Sequence, residues 1–441
     1  MLNPLDLLDQ IVDLALSNGA GHVDAIYREN HATEVQCRDQ QLEKVNHNEN
    51  ATIGVRVFLG QRTASFSSSD FERSSLRALI SKAIDIAREA PEDATARLVA
   101  KEDLQNLDAI DLQLKDPSPW SAVDLFESAR HMELAMLNVE QVEQSAFVSA
   151  SARTAAIALK TSNGFAAQSE RTSFSRQCAA VASAPNEKVI ENLGSRKSFV
   201  EDLDDATAIG REAGQRAAAK IGAVRVRPGH HPVVFERRRA VDLLGNFAAA
   251  ISGPAVAAGT TCLRGNLGTQ IFPTDVQITD DPHIKRGLGS RLFDGEGVAC
   301  KPIQFVVDGV LQSWATNASS AAQIGGPLTG HGNPLGQGIS FSNLHMGNGP
   351  QSVANLISDI GYGLFVTDFL GRGANVVTGN FSQAVSGFII ENGELSQPFR
   401  GATIAGSLLD IFLRAVPAND LEFRGAMNAP TLRIDGLKTA G

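Results

Sequence analysis

The stretch "SAFVSASARTAAIALKTSNGFAAQSERTSFSRQCAAVASA", from Ser145 to Ala184, decides how the chain folds. Small and β-branched residues run through both of its halves, and Asn163-Gly164 stands between them. Asn-Gly accepts positive φ at both positions of a two-residue turn, and that turn matches the twist of paired strands. The stretch therefore predicts a long, twisted antiparallel hairpin sheet.

Helices are predicted on either side of it. Upstream, Ser118 or Ser121 can cap a helix whose apolar positions include Val123, Phe126, Met132 and Leu137. Downstream, an Ala-rich pattern decorated with Lys, Arg and Glu predicts a helix from about residue 203 to residue 221. The first hundred residues repeat the theme. Asn3, Pro4 and Gly19 bracket a helix with Leu7, Leu8, Ile11, Val12 and Ala15 on one face. "HVDAIYRE" and "TEVQCRD" read as separate strands, "ATIGVRVFLGQRTASFSSS" as two strands joined at Gly60-Gln61, and residues 71–90 as an amphipathic helix that packs on this sheet and ends at Pro91.

Composition changes to Arg, Pro and Gly between Gly222 and Pro232, which marks the best domain boundary. Beyond it, "RRRAVDLLGNFAAAIS" predicts a long helix and "IAGSLLDIFLRAV" a second, while Asp308-Gly309 and Asn392-Gly393 predict hairpins. The expected fold is α+β. N-terminal antiparallel sheet-and-helix units (residues 1–118 and a central 119–225) precede a Gly-rich, mainly β C-terminal domain with a long helix (226–441).

A chain of 441 residues, 43% hydrophobic and 20% charged, is long enough for two or three stable cores. Acidic residues outnumber basic ones by 49 to 39, a formal charge of -10 that disfavours binding to a nucleic-acid backbone. The N-terminal apolar segment is interrupted by Asp6, Asp9 and Asp13, and no uninterrupted apolar run reaches the roughly twenty residues that span a bilayer. Cys37, Cys178, Cys262 and Cys300 form no CxxC pair, which fits a reducing cytoplasm better than a disulfide framework.

The chain contains no Walker loop, GxSxG elbow or HExxH helix. His230 and His231 are adjacent, so on a strand their rings point to opposite faces; His331 and His345 lie in Gly-rich segments without a carboxylate at ligand spacing. Glu236 followed by Arg237, Arg238 and Arg239 reads as a capped, solvated helix start. "VTDFLGRGANVVTGNFSQAVSGFIIENGEL", Val366 to Leu395, is more informative. Gly371, Arg372 and Gly373 lack the third spaced glycine and the following helix of a dinucleotide loop, so turn chemistry outweighs phosphate binding. Asn375, Thr378, Gly379 and Asn380 continue a segment with two readings. It can accept a second backbone at a strand edge, or it can satisfy its own turns.

This glycine-rich stretch, together with "TIAGSLLDIF" and the closing "APTLRIDGLKTAG", resembles the TldD/PmbA family, formerly described as modulators of gyrase, and within it the PmbA (TldE) branch. The resemblance runs over nearly the whole chain. It implies a cytoplasmic two-subunit metalloprotease that cleaves unfolded or extended peptides, in which the TldD subunit carries zinc. That zinc motif is two histidines five apart with a glutamate after the first, on the helix opening the C-terminal domain, completed by a cysteine near the C-terminus. Here the helix region reads "VVFERRRAVDLLGNF" and the tail "LEFRGAMNAPTLRIDG", with neither histidine nor cysteine. The resemblance thus implies a subunit without catalytic residues or its own metal. It would pair with a zinc-bearing TldD-like subunit, shape the peptide channel and place Gly371, Arg372, Gly373, Asn375, Thr378, Gly379 and Asn380 near peptide or interface. In isolation a homodimer is possible. Gln383, Ala384 and Ser407 stand where the branch carries Arg, Gly and Asn. Two alternatives remain open: a self-sufficient metallopeptidase using His230, His231 or His331, and a homodimeric peptide-binding protein without proteolysis.

Overall fold

A computed structural model describes residues 3–104, 110–371 and 373–441. A loop over residues 162–165, with Gly164 at φ +110° and Asn163 outside the left-handed region, joins β4 (Val142–Thr161) to β5 (Ala166–Ala184), and this hairpin forms part of a six-stranded antiparallel sheet. Its other strands are β1 (His22–Arg38), β2 (Gln41–Leu59), β3 (Arg62–Ser68) and β6 (Glu187–Lys197), in the order β3-β2-β1-β4-β5-β6. The two segments expected as separate strands are one seventeen-residue β1.

One face of this sheet is covered by helices. On α1 (Pro4–Ser17), Leu7, Leu8, Ile11, Val12 and Ala15 are buried, the Asn3 side chain accepts from the Leu5 amide at 3.1 Å, and Gly19 takes φ +99° just beyond the end. On α2 (Arg73–Glu89), Leu76, Ile80, Ala83, Ile84 and Ala87 are buried beside Val55 and Val57 of β2. The next pair, α3 (Ala122–Leu137) and α4 (Ala206–Ala218), covers Val148, Ala150, Cys178 and Ala180. Ser121 caps α3 in a reciprocal box with Asp124. Of the apolar positions expected on α3, Met132 is buried and Phe126 and Leu137 pack partly buried against the core, but Val123 is 69% exposed; Leu125, Ala129 and Met136 complete the buried face. The polar residues Ser128 and Glu133 share that buried face because each answers a distant partner. Ser128 Oγ accepts from Arg176 at 2.8 Å, and Glu133 accepts from Ser145 at 2.6 Å and from the Gln40 amide at 2.7 Å.

The C-terminal part holds two further sheets. Five short strands, β8 (Ile278–Asp280), β9 (Ile303–Val307), β10 (Val310–Leu311), β11 (Leu344–Met346) and β16 (Met427–Asn428), pair in the order β10-β9-β8-β11-β16. The larger sheet comprises β7 (Gly229–Phe235), β12 (Tyr362–Leu370), β13 (Asn380–Glu391), β14 (Glu394–Ser407), β15 (Val416–Pro417) and β17 (Leu432–Ala440). Its order is β14-β13-β12-β7-β17-β15, and β14 also pairs with β17. The buried stripe of the long helix α5 (Arg237–Ala250) contributes Leu243, Leu244 and Phe247 to the core of this part. Phe247, Phe272 and Phe412 pack edge to face or tilted, with centroids 5.1–6.0 Å apart. "IAGSLLDIFLRAV" does not form a second long helix: β14 runs on through Ser407, and only Leu408–Leu413 is helical. Among the described residues no helix is long and apolar enough to cross a membrane.

Candidate functional site

The second face of the N-terminal sheet meets the C-terminal part across a cleft of about 760 Å³. Period-two alternation sets which side chains reach it, because the residues between them face the helices. Arg153 pairs with Ser173, Ala155 with Arg171, Gln177 with Gly194 and Ser175 with Arg196, so Arg153, Arg171, Gln177 and Arg196 share the open face. The opposite wall carries Arg238 from α5, Gly287-Leu288, and Arg424 to Ala426. Among the described residues, none that lines the cleft is acidic.

At this cleft the start of α5 meets the tail that follows Asp420. The Arg237 amide donates to Thr431 Oγ1 at 3.2 Å, Arg237 pairs with Glu422 at 2.6 Å, and Asp420 holds Thr431 through its amide and its hydroxyl, both at 2.7 Å. The solvated helix start expected for residues 236–239 is replaced by a partly buried ion network, because α4 and β6 dock against it. Arg216 forks onto Glu236 at 2.9 and 2.8 Å and reaches Glu191 at 3.1 Å, while Arg238 reaches Glu191 at 3.2 Å. Lys220 bridges Glu191 and Asp368. Burial alone would raise the Glu236 pKa, but Arg216, Arg238 and Lys220 outweigh it and hold the carboxyl below its ordinary range.

The glycine-rich loop satisfies its own turns. Asn375 Oδ1 accepts from the amides of Val377 at 3.0 Å and Thr378 at 3.1 Å, Thr378 Oγ1 accepts from the Asn380 amide at 3.3 Å, and the Asn375 amide donates to the Asn380 carbonyl at 2.8 Å. Gly371 and Gly379 both have φ +75°, in the left-handed region that glycine favours. A Cβ on Gly373 would meet the Ser382 carbonyl at 2.1 Å. Gln383 is buried and donates to the carbonyls of Leu370 and Gly371 at 3.0 and 3.1 Å, tying the loop to β13. Asn375, Thr378 and Asn380 are exposed, and none of these residues lines the arginine-rich cleft; Arg372 lies outside the described residues.

The histidines occupy separate places. His230 and His231 lie on β7, where His231 packs on Tyr362 and bonds to the Arg227 carbonyl at 3.1 Å. His331 is buried between Asp280 at 3.0 Å and Thr329 at 3.0 Å, and His345 packs on Phe423. Among the described residues no group of three or more His, Cys, Asp or Glu is placed to hold a metal ion. Zinc at the start of α5 is not matched by the residues present, since the side chains there are arginines already committed to carboxylates.

Glu296 adds a pH-sensitive element where the C-terminal loops meet the N-terminal sheet. Only 6% exposed, it accepts from the Ala318 amide at 2.7 Å, and burial, reinforced by Asp294, pushes its pKa up to about 8. The folded state therefore holds a proton that the unfolded chain releases near pH 4.3, so this group's contribution to stability falls as pH rises between those values. Its share of the slope reaches at most about 1.4 kcal/mol per pH unit. Glu296→Gln, neutral at every pH and still able to accept that bond, is expected to flatten the decline, measured by chaotrope unfolding between pH 5 and about 8.

The arginines of the open face escaped the sequence reading, although Asn163-Gly164 fixes the hairpin register and hence which residues share a side. Known proteins share this architecture along its whole length. Descriptions of the PmbA/TldA metallopeptidase match in three parts: domain 1 over residues 23–87, the central domain over 113–221 and the C-terminal domain over 228–441. The "Metalloprotease PmbA homolog" of Haemophilus influenzae is 29% identical over 435 residues, covering 98% of this chain and 94% of the relative. "Metalloprotease PmbA" of Escherichia coli O157:H7 is 28% identical, covering 99% and 96%. The crystal structure of TldE from Thermococcus kodakarensis superposes with a TM-score of 0.86 at 19% identity, covering 99% of this chain and 100% of that one, a likeness of fold. On these matched segments and the shared fold, the chain belongs to the PmbA/TldD metallopeptidase family.

Proposed function

We propose that this chain is a non-catalytic subunit of a zinc-dependent peptidase, pairing with a TldD-like subunit that supplies the metal and helping to hold an extended peptide in a shared channel. One observation carries the reading: the start of α5 and the tail after Asp420 converge, yet offer arginine-carboxylate pairs instead of imidazole and thiolate. Without ligands there is no Lewis acid, and without a glutamate beside a metal-bound water there is no positioned base. The remaining chemistry is binding: cations, amides and hydroxyls along a sheet face that orient a substrate.

The name of the relatives, metalloprotease, favours the alternative of a self-sufficient enzyme. Metal analysis separates the two. The purified chain is expected to retain far less than one zinc per molecule after dialysis against a chelator, and to co-elute with a TldD-like protein when the two are co-expressed. Stoichiometric retained zinc, or homodimers alone in the presence of that protein, would overturn the proposal.

A further inference from the structure

Three arginines on the open face of the N-terminal sheet, Arg153, Arg171 and Arg196, have no carboxylate partner among the described residues, unlike Arg56, which pairs with Asp24. Arg171 gives its two terminal nitrogens to the carbonyls of Leu288 at 3.0 Å and Ser290 at 2.6 Å. Arg153 binds the Asn30 side chain through its Nε. Arg196 is exposed, and its side chain makes no hydrogen bond or ion pair among the described residues. Arg238 and Arg424, on the opposite wall, are paired with Glu191 and with Glu422 and Asp204. Burial, then the charges of Arg291 and Arg153, lower the pKa of Arg171, as expected where cations gather without an anion. This concentration occurs in a chain whose net charge is -10. A cleft of one sign between low-dielectric walls focuses its field on a ligand of the other sign.

We infer that this cleft is an anion-recognising subsite for peptides, in which Arg153 and Arg196 bind carboxylates of an extended chain and Arg171, its fork held by the Leu288 and Ser290 carbonyls, adds positive charge beside them. Guanidinium presents a planar fork that fits a carboxylate with two parallel hydrogen bonds. Between the cations, Leu114, Phe147 and Leu288 offer apolar contact, and Gln177 and Asn192 offer amide groups suited to a peptide backbone. The volume is that of a small-ligand or short-peptide site. Among the described residues that line the cleft, Phe147 is the only aromatic one, so successive bases have no run of stacking platforms, which disfavours a nucleic-acid strand. The inference rests on the proposed function only in taking the ligand to be a peptide. The carboxylate can be a C-terminus or an Asp or Glu side chain, since the chemistry is the same.

Fluorescence anisotropy on the full chain tests it. The probe is a labelled, unstructured Gly/Ser/Ala peptide carrying several glutamates, compared with versions that have Gln for Glu or an amidated C-terminus. The acidic probe is expected to bind about tenfold or more tighter than a peptide lacking both kinds of carboxylate, with affinity falling as salt rises. Loss on Glu-to-Gln replacement assigns side-chain carboxylates; loss on amidation assigns the C-terminus. Arg196→Gln, at an exposed position whose change leaves folding intact, is expected to weaken the acidic probe about tenfold while thermal unfolding stays unchanged. Arg153→Gln provides a second variant with the same expectation. Equal affinity for acidic and neutral peptides, an unaltered Kd in both variants, or preference for a single-stranded oligonucleotide would overturn the inference. Because this is direct binding by the isolated chain, such a failure leaves the metal and co-elution tests of the subunit role unaffected.

Discussion

Glu191→Ala is expected to destabilise the protein by about 3 kcal/mol, the lower end of the cost of removing one partner from a buried ion pair. Glu191 is 3% exposed and is shared by Arg216, Lys220 and Arg238. Its loss leaves those cations close together, with desolvation already incurred. The cost is at the lower end because Arg216 and Arg238 keep Glu236 and Lys220 keeps Asp368. Chaotrope unfolding measures the change, and Glu191→Gln, which retains size and one acceptor, should recover part of it. The pH dependence has a definite sign. Glu236 is held below its ordinary pKa in the folded state, so the stability it contributes is present above the unfolded value, near pH 4.3, and is lost as pH falls through the lower folded value. The network joins α4 and β6 to α5 and β12, so loosening should register in hydrogen exchange at that junction before the centre of either sheet.

Gly373→Leu is expected to cost about 3 kcal/mol and to do so locally. The new Cβ would stand 2.1 Å from the Ser382 carbonyl and 2.7 Å from Gln383 Cα, both backbone atoms of a paired strand that cannot turn aside. The Ser382 amide also donates to the Gly373 carbonyl at 2.7 Å, and Ala374 bridges Phe381, a buried residue of the C-terminal core. Hydrogen exchange should rise through residues 373–383 while β1 to β6 keep their protection. If the loop also borders peptide or partner, as the resemblance implies, processing by the assembled pair should fall more than stability explains. Unchanged processing at full occupancy would remove the loop from the site.

How much of this was readable in advance depends on whether the controlling contact is local. Asn163-Gly164, Asp308-Gly309 and Asn392-Gly393 all close hairpins where the sequence placed them, and the apolar stripe of α1 is buried residue for residue. The turn at Asp39-Gln40 gave no such signal. Both residues take positive φ without glycine, at 50° and 59°, and their amides are received by Glu133 from a helix more than ninety residues away. The same long-range demand left the reading of α3 incomplete, since a buried glutamate breaks the apolar stripe from which the buried face is judged. The charge run at residues 236–239 reads as solvent-facing because its counterions come from α4, β6 and the tail. Of the site itself, the glycine-rich loop was visible by composition and proved to be locally satisfied, whereas the arginine cleft required knowing which side of the hairpin the helices cover.

The proposed role is tested most directly by peptide cleavage with each component alone and with the two combined. The purified chain, supplied with zinc, is expected to leave an extended peptide intact, and the TldD-like subunit to cleave it efficiently only when this chain is added. Chelator-sensitive cleavage by this chain alone would contradict the account.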